Sequence, residues 1–295
     1  MASVITLLAH YLRLYIQLGK LRLSLLVLFT AGIGYGLGVA NINYLQLLCL
    51  MVGTLLIVMG ANGLNQCMER HRDALMKRTR NRPLPSGKMS VHHAYAVTLT
   101  WSISGVLILY IGVNLLTATL ALFSLCCYLF VYTPLKPYTP IAVLAGAIPG
   151  AIPPIMGWTA ATNEFSVQAW ILACILYLWQ IPHFMALATM YQKDYAAGGY
   201  QLLPDNPEIG SATRSIIAVF SGALLAISLL APAVGLGEYV YFVAALVLGI
   251  SLLFLTLKLY HRYSLQNARR VFLASIVYLP LLMAILVIDQ RFIRS

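Results

Sequence analysis

Nine blocks of mostly apolar residues dominate the sequence, near 22–40, 44–65, 92–112, 115–132, 139–160, 168–190, 214–235, 238–258 and 269–289. A bilayer core about 30 Å thick is crossed by about 20 helical residues at about 1.5 Å each. No water inside that core can satisfy backbone N–H and C=O groups, so each block must close its own hydrogen bonds as a helix. The predicted fold is an all-α membrane protein, a bundle of nine transmembrane helices in a single domain over 1–295. The chain is 61% hydrophobic and only 9% charged, against roughly 25% charged residues in an average soluble domain. A soluble fold and a disordered chain are both excluded on that ground.

The net charge of +11 raises the question of nucleic acid. The basic residues sit between apolar blocks and not on one face of a soluble domain, so no nucleic-acid partner is expected. Of the 19 Lys and Arg, 17 fall in the N-terminal segment and in the loops after the second, fourth, sixth and eighth blocks. Only Arg291 and Arg294 lie in the C-terminal tail. This asymmetry predicts a cytoplasmic N-terminus, cytoplasmic loops at 66–91 and 191–213, and a C-terminus on the other side of the membrane. Residues 1–21 mix Leu and Ile with His10, Arg13, Gln17 and Lys20, which reads as an interfacial helix and not as a cleavable signal. Five cysteines stand in apolar surroundings with no C-x-x-C, so neither a disulfide framework nor a zinc site is expected.

The richest polar segment runs from Asn65 to Met76. Read as a helix leaving the bilayer, it places Asn65, Glu69 and Asp73 at i, i+4 and i+8 on one face, with Arg72 inside the same arc. One amide and two carboxylates form an oxygen donor set that suits Mg²⁺, which takes one or two protein carboxylates and completes its shell with water and substrate phosphates. The bland alternative is a solvated helix end with Glu–Arg pairs. Arg78, Arg80 and Arg82 follow directly. They are either topology-setting charge against anionic lipid or planar donors for a diphosphate, with Arg78 and Arg82 the more specific pair. Tyr132 and Lys136, four apart at the end of the fourth block, are either membrane-edge anchors or a phosphate cap. Asp194 returns a carboxylate to the same membrane side as Asp73. His183 follows Pro182 inside the sixth block. It is read either as a structural histidine bonding a freed carbonyl, as an iron ligand, or as a base near neutral pH. No G-x-x-x-x-G-K-[ST], H-E-x-x-H or G-x-S-x-G occurs, and no acid or base sits at the centre of a span, which weakens pumping, proteolysis and ion transport.

At these residues the chain resembles the UbiA superfamily of intramembrane prenyltransferases. Asn65-x-x-x-Glu69-x-x-x-Asp73 is similar to its first aspartate-rich motif. Met76-Lys77-Arg78-Thr79-Arg80-Asn81-Arg82-Pro83-Leu84, Tyr132-Thr133-Pro134-Leu135-Lys136, the small-residue run Gly146–Pro154, Trp179-Gln180-Ile181-Pro182-His183-Phe184 and Asp194-Tyr195 with Gly198-Gly199 are similar, in order, to the branch that farnesylates protohaem. The chain departs from the pattern at Glu69, where most members carry Asp, and at Leu21 and Pro137, where that branch carries Pro and Arg. Gly198 also stands where the second motif would supply an acid, which leaves the number of metal ions open.

The resemblance implies a central cavity capped by the cytoplasmic loops. It implies transfer of farnesyl from farnesyl diphosphate to the 2-vinyl group of haem B, giving haem O with a hydroxyethylfarnesyl side chain. Asn65, Glu69, Asp73 and Asp194 would hold Mg²⁺, the cofactor. Arg72, Arg78, Arg82, Lys136 and Tyr132 would contact diphosphate, and His183 would serve the haem pocket. The implied setting is a cell (inner) membrane among membrane lipid, with haem A synthase or a terminal-oxidase assembly as candidate partners. Two other readings stay open: a UbiA-type enzyme acting on a quinone precursor or chlorophyllide, and a haem-binding membrane transporter.

Overall fold

The computed structural model describes residues 2–208 and 210–290; Arg291 and Arg294, expected on the far side of the membrane, lie outside them. Among the described residues there is no strand, and nine helices are long and apolar enough to cross a membrane. The first helix, α1 (Ala2–Leu18), precedes them and is not one of the nine. It buries Leu14 and Leu18 against the bundle and leaves Leu8, Leu12 and Ile16 exposed.

The spans are α2 (Leu21–Gly38), α3 (Tyr44–Leu75), α4 (Val91–Gly112), α5 (Leu115–Cys126) with its extension, α7 (Ile141–Thr162), α8 (Val167–Met190), α10 (Ala212–Leu230) with a 3₁₀ turn at Ala231–Val234, α11 (Tyr239–His261) and α12 (Leu265–Ile288). Two short helices, α6 (Thr133–Leu135) and α9 (Gln192–Ala197), sit beside the site. Five spans start on a side-chain cap, in which Asn43, Ser90, Asn114, Ser166 and Ser264 each accept from the backbone N–H three residues on. Asp205 caps α10 from the preceding loop, accepting from Ala212 N at 2.7 Å and Thr213 N at 2.9 Å.

Neighbours in sequence pack closely at α3–α4, α7–α8, α10–α11 and α11–α12, whereas α2 and α5 pack most on α7. α8 also packs on α10 and α12, and α12 reaches α2 to close the ring. The α2–α7 crossing is close because small residues make it. A Cβ at Gly34 would lie 2.1 Å from the Pro154 carbonyl oxygen, and one at Gly157 would lie 1.9 Å from that of Ala31. Pro149, Pro153 and Pro154 lie inside α7. Pro153 cannot donate to the Pro149 carbonyl, and Ser124 Oγ of α5 donates to it instead at 3.1 Å.

Two features position the site. The helix α3 has 32 residues, about 48 Å at the standard rise, so its last turns stand beyond a bilayer core. The expected apolar block ends at 65 with the segment beyond it read as a helix leaving the bilayer, and one unbroken helix does carry Asn65, Glu69 and Asp73 to Leu75. The second feature is a π-helical stretch at Cys127–Tyr132, which shifts the register of α5. Thr133 Oγ1 donates back to the Tyr128 carbonyl at 2.8 Å across that stretch.

Candidate active site

At one end of the bundle the loops fold over the helix ends. Met76 begins a chain of tight turns, with Thr79 N and Arg80 N donating to Met76 O and Arg82 N to Thr79 O, and these bring Arg82 back over α3. Arg82 Nη1 meets Asp73 Oδ2 at 2.7 Å. One turn earlier on α3, Glu69 Oε1 accepts from Lys136 Nζ at 2.8 Å. Asn65 Nδ2 donates to Thr133 Oγ1 at 3.0 Å. The spacing at i, i+4 and i+8 therefore does place all three on one buried face, at 1%, 7% and 0% exposure.

These groups cap a cavity of about 420 Å³. Its polar end is lined by Lys20, Asn65, Glu69, Asp73, Arg78, Arg82, Tyr132, Lys136 and Tyr200. Its apolar depth runs past Ile57, Ala121, Leu125, Pro153 and Met156, and one flank is formed by His183, Phe184, Leu187 and Phe272. Lys136 Nζ lies 4.3 Å from the centroid of the Tyr132 ring, a cation–π contact. Burial works against the Lys136 ammonium, but Tyr132, Glu69 and Tyr128 around it outweigh burial and hold it well above the ordinary lysine value. Burial, and after it the negative charge of Glu69, push the Tyr200 hydroxyl up, so it stays a donor at the rim.

Not every expected residue faces the cavity. Arg72 Nη1 donates to the Gly198 and Gly199 carbonyls at 3.0 and 3.1 Å, and its guanidinium lies over the Tyr200 ring. Asp194 accepts from Lys77 N at 2.7 Å and Arg78 N at 3.4 Å. Both tie the loop after α8 to the loop after α3, and neither lines the cavity. Arg78 does line it, while its Nη2 donates to Tyr195 Oη at 3.0 Å. His183 Nδ1 is 2.8 Å from Ser275 Oγ of α12 and bonds no carbonyl freed by Pro182.

Lys20 is a cavity residue that the sequence reading treated only as topology charge. It sits in the break between α1 and α2 with a left-handed backbone, φ 48°. Burial, then the positive charges of Arg82 and Lys136, lower it to about 7. A lone Lys between two apolar runs carries no local sign of that placement.

The donor set can be tested for Mg²⁺. Asp73 Oδ1 is buried with no hydrogen-bond partner, a costly state for a carboxylate oxygen unless a cation meets it. Asn65, Glu69 and Asp73 supply hard oxygen donors. No cluster of three His, Cys, Asp or Glu that could hold a metal occurs among the described residues, so substrate oxygens and water must complete the shell. The residues fit a cation held jointly with a phosphorylated substrate.

The apolar spans, the charged cap and the cavity beneath it define an integral-membrane protein that brings a polar anion head and a greasy chain into one site. Residues 27–282 match the model of the UbiA prenyltransferase family, and the chain belongs to that family. The protoheme IX farnesyltransferase of Solibacter usitatus is 40% identical over 290 residues, covering 95% of this chain and 99% of that one. A solved digeranylgeranylglyceryl phosphate synthase structure superposes with a TM-score of 0.80 at 16% identity, over 95% of this chain and 98% of that one. The UbiA homolog of Archaeoglobus fulgidus bound to DMAPP and Mg²⁺ gives 0.69 at 14% identity, over 92% and 98%.

Proposed function

We propose that this chain is a protohaem IX farnesyltransferase. It transfers farnesyl from farnesyl diphosphate to the 2-vinyl group of haem B, adds water, releases diphosphate and gives haem O. The observation that carries the reading is one continuous cavity joining the Glu69–Lys136 and Asp73–Arg82 pairs to an apolar shaft and a histidine-bearing flank. The identity to a named protoheme IX farnesyltransferase over nearly the whole chain selects this acceptor over a quinone precursor or chlorophyllide.

The chain's own residues do the following. Lys136, Arg82, Arg78 and Lys20 bind the diphosphate and take up the charge that develops as it departs. Asn65, Glu69 and Asp73 would hold Mg²⁺, with Asp194 tying the covering loop above them. The metal, when bound, lowers the cost of that developing charge. Ile57, Leu125, Pro153 and Met156 receive the prenyl chain and keep water from the allylic cation. Arg72 and Tyr132 act at the rim, Arg72 by holding Gly198 and Gly199 and Tyr132 by flanking Lys136. The basic end faces the cytoplasm of a cell (inner) membrane, and the haem propionates seek that end. A haem A synthase or terminal oxidase assembly receives the product.

The test is purified protein with haem B, farnesyl diphosphate and Mg²⁺, reading product mass. A mass equal to haem B plus farnesyl and a hydroxyl supports the reading. Prenylation of a hydroxybenzoate or chlorophyllide with haem B untouched overturns it.

A further inference from the structure

His183 has a fixed tautomer. Ser275 Oγ lies 2.6 Å from the Phe272 carbonyl oxygen and 2.8 Å from His183 Nδ1. Two oxygens at 2.6 Å need a proton between them, and a carbonyl has none, so the single hydroxyl proton of Ser275 points at Phe272 O. Ser275 Oγ can then only accept from the imidazole. His183 Nδ1 carries its proton, and Nε2 is left as a bare lone pair. Nε2 makes no hydrogen bond among the described residues, while His183 lines the cavity.

The ring is also clamped. Trp179 stacks on one side at 4.8 Å and 20°, and Phe272 at 4.8 Å and 28°. Trp179 Nε1 donates to the Ser275 carbonyl at 2.7 Å, so the serine and the indole that orient the imidazole are themselves fixed to each other. Two aromatic rings stack on the imidazole, and its in-plane Nε2 is the nitrogen left without a hydrogen bond. No carboxylate touches this imidazole. A base drawing a proton from water would become a buried cation with no carboxylate beside it. A neutral nitrogen that donates its lone pair to a metal centre adds no charge to the imidazole.

We propose that Ser275 is a positioning residue that locks His183 as the Nδ1–H tautomer and so presents Nε2 as an axial ligand to the iron of the porphyrin substrate. This rests on the protohaem reading above. The hydrogen bond from a ligating imidazole to a second group sets its orientation and basicity, and loss of such a partner lowers metal affinity by about 10–100-fold. Nothing in the local sequence joins the two residues, which lie 92 positions apart on α8 and α12.

The experiment measures binding of haem B and of metal-free protoporphyrin IX to the full-length protein in detergent, without farnesyl diphosphate. The porphyrin ring contacts are common to both probes, so the ratio of their affinities isolates the iron. The wild type is expected to prefer haem B at least ~10-fold. Ser275→Ala should cut that ratio by about 10-fold and Ser275→Thr should restore it. His183→Ala should bring it to about one. Unchanged affinity for metal-free protoporphyrin shows that each variant is folded. A ratio near one in the wild type, or one unmoved by Ser275→Ala or His183→Ala, overturns the proposal. If the protein binds neither porphyrin and prenylates another acceptor, the protohaem reading itself has failed.

Discussion

The Glu69–Lys136 pair allows stability and catalysis to be separated. The two groups meet at 2.8 Å, with side-chain exposures of 8% and 10%. At that distance the attraction is about 6 kcal/mol at an effective dielectric near 20, most of it offsetting the cost of taking both charges out of water. Removing one partner leaves the other buried and unpaired, which costs about 3–5 kcal/mol. Lys136→Met also loses the contact over the Tyr132 ring, worth about 1–2 kcal/mol. The double variant Glu69→Gln/Lys136→Met leaves no naked charge. It is expected to lose only about 1–3 kcal/mol, because a buried pair can be replaced by neutral groups at little cost. Equilibrium unfolding of the four proteins in mixed micelles should give a coupling energy of at least about 2 kcal/mol. Prenyl transfer should be lost in all three variants, since Glu69→Gln removes a carboxylate of the cation site and Lys136→Met a diphosphate contact. Costs that add within about 0.5 kcal/mol would mean the pair is not coupled, and the buried-pair account would be wrong. Full activity in the stable double variant would remove Glu69 and Lys136 from the chemistry.

Asp73→Asn should lower turnover by at least about 100-fold while the protein stays inserted, as loss of a preorganised charge contact does; wild-type product yield would remove Asp73 from the site. Glu69→Asp should retain more activity than Glu69→Gln, because charge matters more than reach, and equal losses would mean that geometry dominates. Lys20, lowered to about 7, is neutral above that pH and charged below it. Affinity for inorganic diphosphate should therefore fall as pH rises through about 7, and Lys20→Arg should flatten the profile because a guanidinium stays charged. An unaltered profile in Lys20→Arg would assign the titration to another group. Reporter fusions at Ser86 and Ser295 should give opposite signals, and matching signals would make the span count wrong by one.

What the sequence made legible was what is local. Nine spans follow from apolar length alone, and the Asn65–Glu69–Asp73 face follows from helical period within a single element. The partners of that face were not legible by the same means. Thr133 reaches Asn65 across 68 positions, and Lys136 reaches Glu69 across 67. Which loop covers which helix end depends on how the bundle closes, and on a π-helical stretch in α5 that hydrophobic period does not mark. Arg72 shows the converse. It shares the arc of the acids in sequence, yet its long side chain swings to the Gly198 and Gly199 carbonyls. Those carbonyls belong to a segment some 126 positions away, and holding them with Nη1 turns the guanidinium away from the cavity. Asp194 behaves alike, since two backbone amides occupy its oxygens. Arg82 and Lys136, which do face the cavity, are each paired with a single side-chain charge. Such a charge can exchange its partner for an arriving anion, whereas a residue engaged with backbone would have to open the fold.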